Sequence, residues 1–134
     1  MDISAEIAKV NEHSPYCALM YELAHLMGWT ELEPRLVVGH PRQYNLKGCP
    51  PTGAKGPYEF PDPFWDKDAG YRFLFDLMIV YEIPFRYTKY SHAKISTSGA
   101  TIIERSGEHQ NNPRIASAVA IVRAVIAKLK TEKK

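Results

Sequence analysis

The chain is poor in cysteine, has no long apolar run and carries little net charge. Its 134 residues include two cysteines, and 17 basic residues against 15 acidic ones leave a formal charge of +2. A chain of this length does not need the one disulfide that could form, so we expect free thiols in a reducing cytoplasm. No apolar run approaches the roughly 20 residues that span a bilayer, and no basic segment precedes an apolar one. We therefore expect neither a membrane span nor a signal peptide.

Metal-ligand and phosphate-loop spacings are also missing. The five histidines and two cysteines form no C-x-x-C or H-x-x-x-H group, so we expect no structural metal. Residues 51–56 resemble a phosphate loop but lack the G-x-x-x-x-G-K-[ST] spacing, and Pro57 follows where a helix should begin. The sequence therefore predicts no cofactor.

Apolar periodicity predicts three helices. Residues 1–28 are expected to be helical, with a new start at Ser14-Pro15 and a stop at Gly28. Asp66 or Asp68 caps a second helix, whose predicted buried stripe is Tyr71, Leu74, Phe75 and Met78, with Tyr81 at its end. Asn112-Pro113 starts the third helix. Its predicted core face consists of Ile115, Ala118, Val119, Val122, Val125, Ile126 and Leu129.

Short strands are expected between these helices. The candidates are residues 35–38, residues 85–90 and two strands that flank Ser98-Gly99, residues 94–97 and 100–105. Ser98-Gly99 is typical of a two-residue hairpin turn, because glycine accepts a positive φ.

A proline-rich segment separates the first strand from the second helix. Residues 39–63 contain six of the ten prolines and four of the eight glycines, which predicts a loop without regular structure. The segment also carries aromatic side chains that linkers usually lack. We therefore expect a long insertion loop that is ordered by its own rings, with a mobile flap as the alternative.

The order of elements predicts a single α+β domain over residues 1–134. Helices separated by a small, mostly antiparallel sheet favour a three-layer α/β/α sandwich. The basic C-terminus at residues 130–134 is expected to fray.

Three stretches resemble the phage ABA sandwich domain family. They are residues 25–29 (His-Leu-Met-Gly-Trp), residues 60–81 with the strand that follows, and the hairpin that leads to Pro113 and an alanine-rich helix. The long segment 39–63 departs from the family. The resemblance implies a small phage-encoded protein in the host cytoplasm, of a kind that often counters host defence as an accessory factor. It implies no catalytic residues.

The binding residues that we predict are Arg42, Tyr44, Tyr58, Trp65 and Arg86. Rings stack on bases and guanidinium groups pair with phosphates, so this mixture suits a nucleotide-type small molecule. Aromatic and arginine side chains also dominate protein interfaces, which makes a host protein the other expected partner. The competing interpretation is that the rings only pack the loop while the basic groups remain solvated.

Two alternatives to a non-catalytic binding protein remain. A small hydrolase or nuclease would use Asp62, Asp66, Asp68 or His109 with a divalent ion. Glu104, Glu108 and His109 could also reach one another across the exit of the hairpin. No nucleophile–base–third-group set can be identified, so an enzyme is the less favoured hypothesis.

The second alternative is a structural phage protein that only self-associates. The last helix has a stripe of small residues that would let a second copy approach closely; it consists of Ala116, Ala120, Ala124 and Ala127, with Ile121 nearby. We therefore expect a homo-oligomer formed through the C-terminal helix. The same stripe could instead pack on the first helix, or reflect only the high helix propensity of alanine.

Overall fold

Three α-helices and six β-strands follow one another in the part of the chain that the structure describes. The structure is a computed structural model, and it describes residues 15–36, 44–53, 57–64, 69–87, 92–97, 100–109 and 112–132. Contacts within the chain divide it into two units, Met1–Asp62 and Pro63–Lys134. The helix expected within residues 1–14, the Asp66 or Asp68 cap and the Ser98-Gly99 turn lie outside the described residues.

The first unit combines one helix with a three-stranded antiparallel sheet. Helix α1 (Pro15–Leu26) precedes β1 (Thr30–Leu36), β2 (Tyr44–Cys49) and β3 (Tyr58–Glu59), and β2 lies between the other two strands. Helix α1 contacts both β1 and β2. The core of this unit includes Met20 and Leu23 of this helix.

Helix α1 ends as its glycine predicts. Gly28 has a φ of 95°, the left-handed conformation that a glycine adopts without steric cost. The Trp29 amide donates to the carbonyl of Ala24 at 3.0 Å, and the Gly28 amide donates to His25 at 3.1 Å. These two bonds form a Schellman motif, which satisfies carbonyls that the helix end would otherwise leave unpaired.

Strand β2 corrects the prediction that residues 39–63 hold no regular structure. Tyr44–Cys49 pairs with β1 along its length, and Lys47 and Gly48 pair with β3 on the other side. The prolines of the segment flank this stretch without entering it, so every residue of β2 keeps its backbone donor. One ring of the segment also packs it: Phe60 is buried against Trp29 in an edge-to-face contact with ring centroids 5.1 Å apart.

Strand β1 begins earlier than the predicted residues 35–38. It includes Pro34, which a sheet tolerates on an edge strand because no neighbour needs the missing amide on that side. The register shifts between Thr30 and Glu33, and Glu31 there has a φ of 52°. The alternation of side chains in the sequence does not reveal this irregular start, so the predicted strand begins too late.

The second unit contains a second three-stranded sheet and two helices. Helix α2 (Ala69–Val80) is followed by β4 (Phe85–Tyr87), β5 (His92–Thr97) and β6 (Ala100–Arg105), with β5 in the centre of the sheet. The predicted hairpin is confirmed, since β5 and β6 pair without interruption from Thr97↔Ala100 to His92↔Arg105. A short 3-10 turn, Ser106–Glu108, follows β6.

Helix α3 (Pro113–Glu132) covers β5 and β6 and contributes more buried apolar side chains than any other described element. The Oδ1 atom of Asn112 accepts from the amides of Arg114 at 2.9 Å and Ile115 at 3.4 Å, so the predicted cap is confirmed. All residues of its predicted core face are buried. The helix is described as far as Glu132, and the expected fraying of residues 130–134 stays a prediction.

The α+β class is therefore confirmed, with both sheets antiparallel. The single sheet is corrected, because the described strands form two separate sheets of three. The three-layer sandwich stays a prediction. Among the described residues, no helix is both long enough and apolar enough to cross a membrane.

Candidate functional site

The second unit contains an apolar cleft beside helix α2, called here the α2 cleft. Its volume is about 350 Å³, near the lower end of the roughly 300–1,000 Å³ typical of small-molecule sites. Helix α2, strand β4 and the first turns of α3 form its walls. The lining residues are Tyr71, Leu74, Phe75, Met78, Phe85, Pro113, Arg114, Ser117 and Ile121.

The predicted burial of the apolar stripe on α2 is wrong. Tyr71, Leu74, Phe75 and Met78 recur at helical spacing and were expected to be buried, yet none of them is, and Phe75 is 61% exposed. Leu77 is the one large side chain of this helix that is buried. The spacing correctly placed the four residues on one face, but that face borders the cleft.

The C-terminus of α2 is held in place by two features. Ile83 donates from its amide to Met78 at 3.0 Å and Glu82 donates to Ile79 at 3.3 Å, which is the same Schellman pattern that ends α1. Here a glutamate with a φ of 52° takes the left-handed position. In addition, the Nζ of Lys128 on α3 donates to the carbonyl of Tyr81, so the cleft wall is tied to the longest helix.

The mouth of the cleft lies at the N-terminus of α3. The first backbone amides of this helix are already satisfied by Asn112, and the Ala116 amide also donates to the Asn112 carbonyl at 3.1 Å. The group that remains available to an anion is the exposed guanidinium of Arg114. The positive end of the helix dipole adds to its charge.

The chemistry of the cleft favours binding. Among the described residues that line it, only Tyr71 and Arg114 are ionisable, and none is a carboxylate, histidine or cysteine that could act as a general base or nucleophile. Three aromatic rings and one arginine line a space of small-molecule size. Such a cleft can accept a planar ring among Tyr71, Phe75 and Phe85 and an anionic group at Arg114.

A polar cluster occupies another part of the second unit. The Oε1 of Glu104 lies 2.9 Å from the Nε2 of His109, and its Oε2 lies 3.7 Å from the Nε of Arg123. Glu104 and His109 are largely buried, whereas the Arg123 side chain is 52% exposed. The contact between Glu104 and His109 is confirmed. The sequence did not predict the contact of Arg123 with Glu104, because Arg123 lies on helix α3 and Glu104 on strand β6.

The buried thiol of Cys17 has a raised pKa. Burial within the first unit is the larger cause and the nearby carboxyl of Asp62 is the smaller one, and together they raise the pKa of this thiol to about 12. The thiol is therefore neutral at physiological pH and is not a nucleophile there. Cys49 differs, because its Sγ donates to the Oε2 of Glu31 at 3.0 Å. Both cysteines are free thiols, as expected.

The five predicted binding residues are only partly described. Arg42 and Trp65 lie outside the described residues, and of Tyr44 the structure describes the backbone, which forms the end of β2. Tyr58 is 51% exposed on β3, in the first unit. Arg86 is exposed on β4, in the second unit. Arg86 belongs to the same unit as the α2 cleft but is not one of its lining residues.

The four residues predicted for a hydrolase or nuclease are not seen to form a cluster in the part of the chain that the structure describes. Asp62 is buried in the first unit, His109 pairs with Glu104 in the second, and Asp66 and Asp68 lie outside the described residues. Over the ranges that the structure covers, no group of three or more His, Cys, Asp and Glu side chains could hold a metal ion.

The small-residue stripe of α3 is largely buried inside the chain. Ala116, Ala120, Ala124 and Ile121 are buried within the single chain, and of the stripe only Ala127 is exposed. These four side chains are therefore covered without a second copy. The homo-oligomer itself stays a prediction.

Sequence reasoning missed the cleft because it assigned its aromatic residues to the core. A local signal existed for Arg114, since the Asn112-Pro113 cap places the next residue at a helix N-terminus. Comparison of the chain with protein-family models, curated proteins and solved structures finds no match.

Proposed function

We propose that the protein is a non-catalytic binding protein that takes a small nucleotide-type ligand into the α2 cleft. The observation that carries this proposal is the combination of three rings with one arginine around a space of about 350 Å³. The ligand class is the one expected from the sequence. The binding residues differ from the five that the sequence predicted, because the cleft is lined by Tyr71, Phe75, Phe85 and Arg114.

The cleft supports binding through two separable contacts. A planar base would lie against the rings, where stacking contributes about 1–3 kcal/mol for each base. A phosphate would approach Arg114, and a charge-assisted hydrogen bond contributes about 1.5–3 kcal/mol. The absence of acid–base groups from the lining favours a ligand that is held and released unchanged.

The resemblance to the phage ABA sandwich family suggests a biological setting for this proposal. A phage-encoded protein in the host cytoplasm that sequesters a nucleotide signal would act as an accessory factor against host defence. The proposal does not require turnover, because sequestration depends on affinity and on the amount of protein.

Calorimetric titration with ribonucleoside monophosphates and cyclic monophosphates tests the proposal, with the uncharged nucleosides as matched ligands. We expect at least one nucleotide to bind and its nucleoside to bind more weakly. Phe75→Ala should weaken binding about tenfold, which corresponds to the loss of roughly 1.4 kcal/mol. Arg114→Gln should weaken the nucleotide and leave the nucleoside unchanged.

Ile79→Ala is the matched control for Phe75→Ala. The two side chains lie on the same helix and are equally exposed, at 61%, but only Phe75 lines the cleft. Ligand recovered after denaturation should have an unchanged mass. Equal losses in both variants would contradict the site, and a chemically altered ligand would contradict the non-catalytic assignment.

A further inference from the structure

The wall that α3 contributes to the α2 cleft changes in chemical character from one helical turn to the next. Arg114 is exposed at the mouth, Ser117 follows one turn later and is half-buried, and Ile121 follows one turn after that and is 2% exposed. Residues three and four apart lie on one face of a helix. The wall therefore presents a cation, then a hydroxyl and then an apolar group, in order of increasing burial.

The spacing of these side chains separates the cation from the hydroxyl. Ser117 lies about 4.5 Å beyond Arg114 along the helix axis, and Ile121 lies about 6 Å beyond Ser117. Helical side chains point back towards the N-terminus of their helix, so the long side chain of Arg114 extends towards the mouth. The short side chain of Ser117 keeps its hydroxyl near the helix surface. A ligand whose anionic group lies at Arg114 thus meets Ser117 with the part next to that group.

The hydroxyl of Ser117 is already engaged as a donor. Its Oγ donates to the carbonyl of Pro113 at 2.6 Å. A serine hydroxyl has one hydrogen and two lone pairs, so the lone pairs are what it offers to a ligand. Ser117 therefore suits a ligand group that donates a hydrogen bond and does not suit an anionic oxygen, which only accepts. Arg114 has the opposite preference, because a guanidinium only donates.

These two preferences match different parts of a nucleotide. Phosphate oxygens accept and pair with a guanidinium, whereas sugar hydroxyls can donate to Ser117. The base is the planar part, which suits the aromatic rings and the apolar surface of Ile121. The sugar joins the phosphate to the base, which is also the order in which α3 presents its cation, its hydroxyl and its apolar group.

We propose that Ser117 is a specificity-determining residue of the α2 cleft, whose Oγ accepts a hydrogen bond from a ribose hydroxyl. The cleft then selects ribonucleotides over analogues that lack this hydroxyl. The inference rests on the nucleotide site proposed above and adds the orientation of the ligand and the choice of sugar. The phosphate lies at the mouth beside Arg114, and the base lies at the buried end beside Ile121.

The preference for ribose is expected to be modest. Ser117 is half-buried and keeps Pro113 as its partner, so a ligand without the hydroxyl leaves no isolated polar group behind. The contacts of the phosphate and the base are the same for both sugars. The loss of one neutral hydrogen bond then raises the Kd about fivefold.

Calorimetric titration of the full chain with ribonucleoside 5′-monophosphates and with their 2′-deoxy and 3′-deoxy analogues tests the proposal. A 3′,5′-cyclic monophosphate keeps only the 2′-hydroxyl and is compared with its 2′-deoxy analogue. We expect one analogue to bind about fivefold more weakly than the ribonucleotide, which also identifies the hydroxyl. Ser117→Ala should weaken the ribonucleotide about fivefold and leave that analogue within about twofold, so the preference is lost.

Thr131→Val is the matched control for the loss of a helical hydroxyl. The Oγ1 of Thr131 donates in the same way to the carbonyl of Ala127 at 3.0 Å, but Thr131 is exposed and is not a lining residue of the cleft. This variant should keep the fivefold preference. Ser117→Thr retains the acceptor oxygen and should keep it too, which distinguishes recognition of the sugar from a change in the helix. Circular dichroism verifies that each variant is folded.

Three results would overturn the proposal while the nucleotide site stands. The first is equal binding of ribonucleotides and all their deoxy analogues by the unaltered chain. The second is a preference for ribose that Ser117→Ala retains. The third is a preference that Tyr71→Phe abolishes and Ser117→Ala does not, which would assign the sugar to the hydroxyl of Tyr71. If the unaltered chain binds no nucleotide at all, the proposed function fails and this inference fails with it.

Discussion

Helices α1 and α2 have the same length and the same type of ending, yet they are buried to very different extents. Each has 12 residues, and each ends in a Schellman motif with one left-handed residue. Helix α1 buries six apolar side chains: Cys17, Ala18, Met20, Tyr21, Leu23 and Ala24. Helix α2 buries Gly70 and Leu77, and its aromatic face borders a cleft.

The difference shows that an apolar stripe identifies a face without identifying what covers that face. Burial of α1 against β1 and β2 accounts for its stripe as core. The stripe of α2 has an equally regular spacing, but part of it remains accessible. An accessible apolar and aromatic face beside a cleft is typical of a binding surface.

The largest effect that we expect is the difference in stability between two variants, one that truncates a leucine of α1 and one that truncates a phenylalanine of α2. Leu23→Ala should lower the free energy of unfolding by about 2–5 kcal/mol, because the side chain is fully buried. Phe75→Ala should lower it by less than about 1 kcal/mol, because that ring is 61% exposed. Urea unfolding measures both values. Similar losses in the two variants would mean that the α2 face is core after all.

A second prediction concerns the buried thiol of α1. Because the pKa of Cys17 is about 12 in the folded chain and near 8.5 when unfolded, the folded state keeps a proton that the unfolded state loses. The stabilisation is fully present below about pH 8.5 and decreases as the pH rises toward 12.

At about pH 10 the loss should reach roughly 2 kcal/mol relative to Cys17→Ala, whose stability lacks this dependence. Urea unfolding of both proteins between about pH 8 and 10 measures it. Parallel pH profiles would show that the thiol is not as buried as the structure indicates.

The smallest effects that we expect come from substituting the left-handed residues that end α1 and α2. Gly28→Ala should cost about 1–2 kcal/mol, because a φ of 95° is strained for alanine and its Cβ would lie 3.1 Å from the Cβ of Pro51. Glu82→Gly should stabilise the chain by about 0.5–1 kcal/mol, because the left-handed position no longer carries a side chain.

Thermal unfolding with a two-state fit measures these changes, and both directions are informative. If Glu82→Gly were destabilising, the glutamate side chain would contribute more than its backbone strain costs. Glu82→Ala is the matched control, since it removes the side chain and keeps the strain.

The parts of the fold that follow from local chemistry could be predicted. The Asn112-Pro113 start of α3 and the β5–β6 hairpin depend on a few adjacent residues, and both are confirmed. Strand β2 was missed because the density of prolines around it outweighed a short stretch that has none. The start of β1 was missed because a register shift interrupts its alternation.

The sites were harder to predict because they depend on contacts between distant elements. Glu104 and His109 are close in the chain, so their contact could be expected, whereas Arg123 reaches the same carboxylate only after α3 folds over the sheet. The α2 cleft requires α2, β4 and α3 together. Periodicity alone cannot distinguish a cleft wall from a core face.

Two side chains of α2 also bear on how the protein behaves at high concentration. Ile79 and Val80 are 61% and 70% exposed, and neither lines the α2 cleft. Exposed aliphatic groups of this size promote colloidal association and limit solubility. Replacing both with lysine would give a more soluble sample for spectroscopy and crystallisation, while the rings and the arginine at the cleft stay as they are.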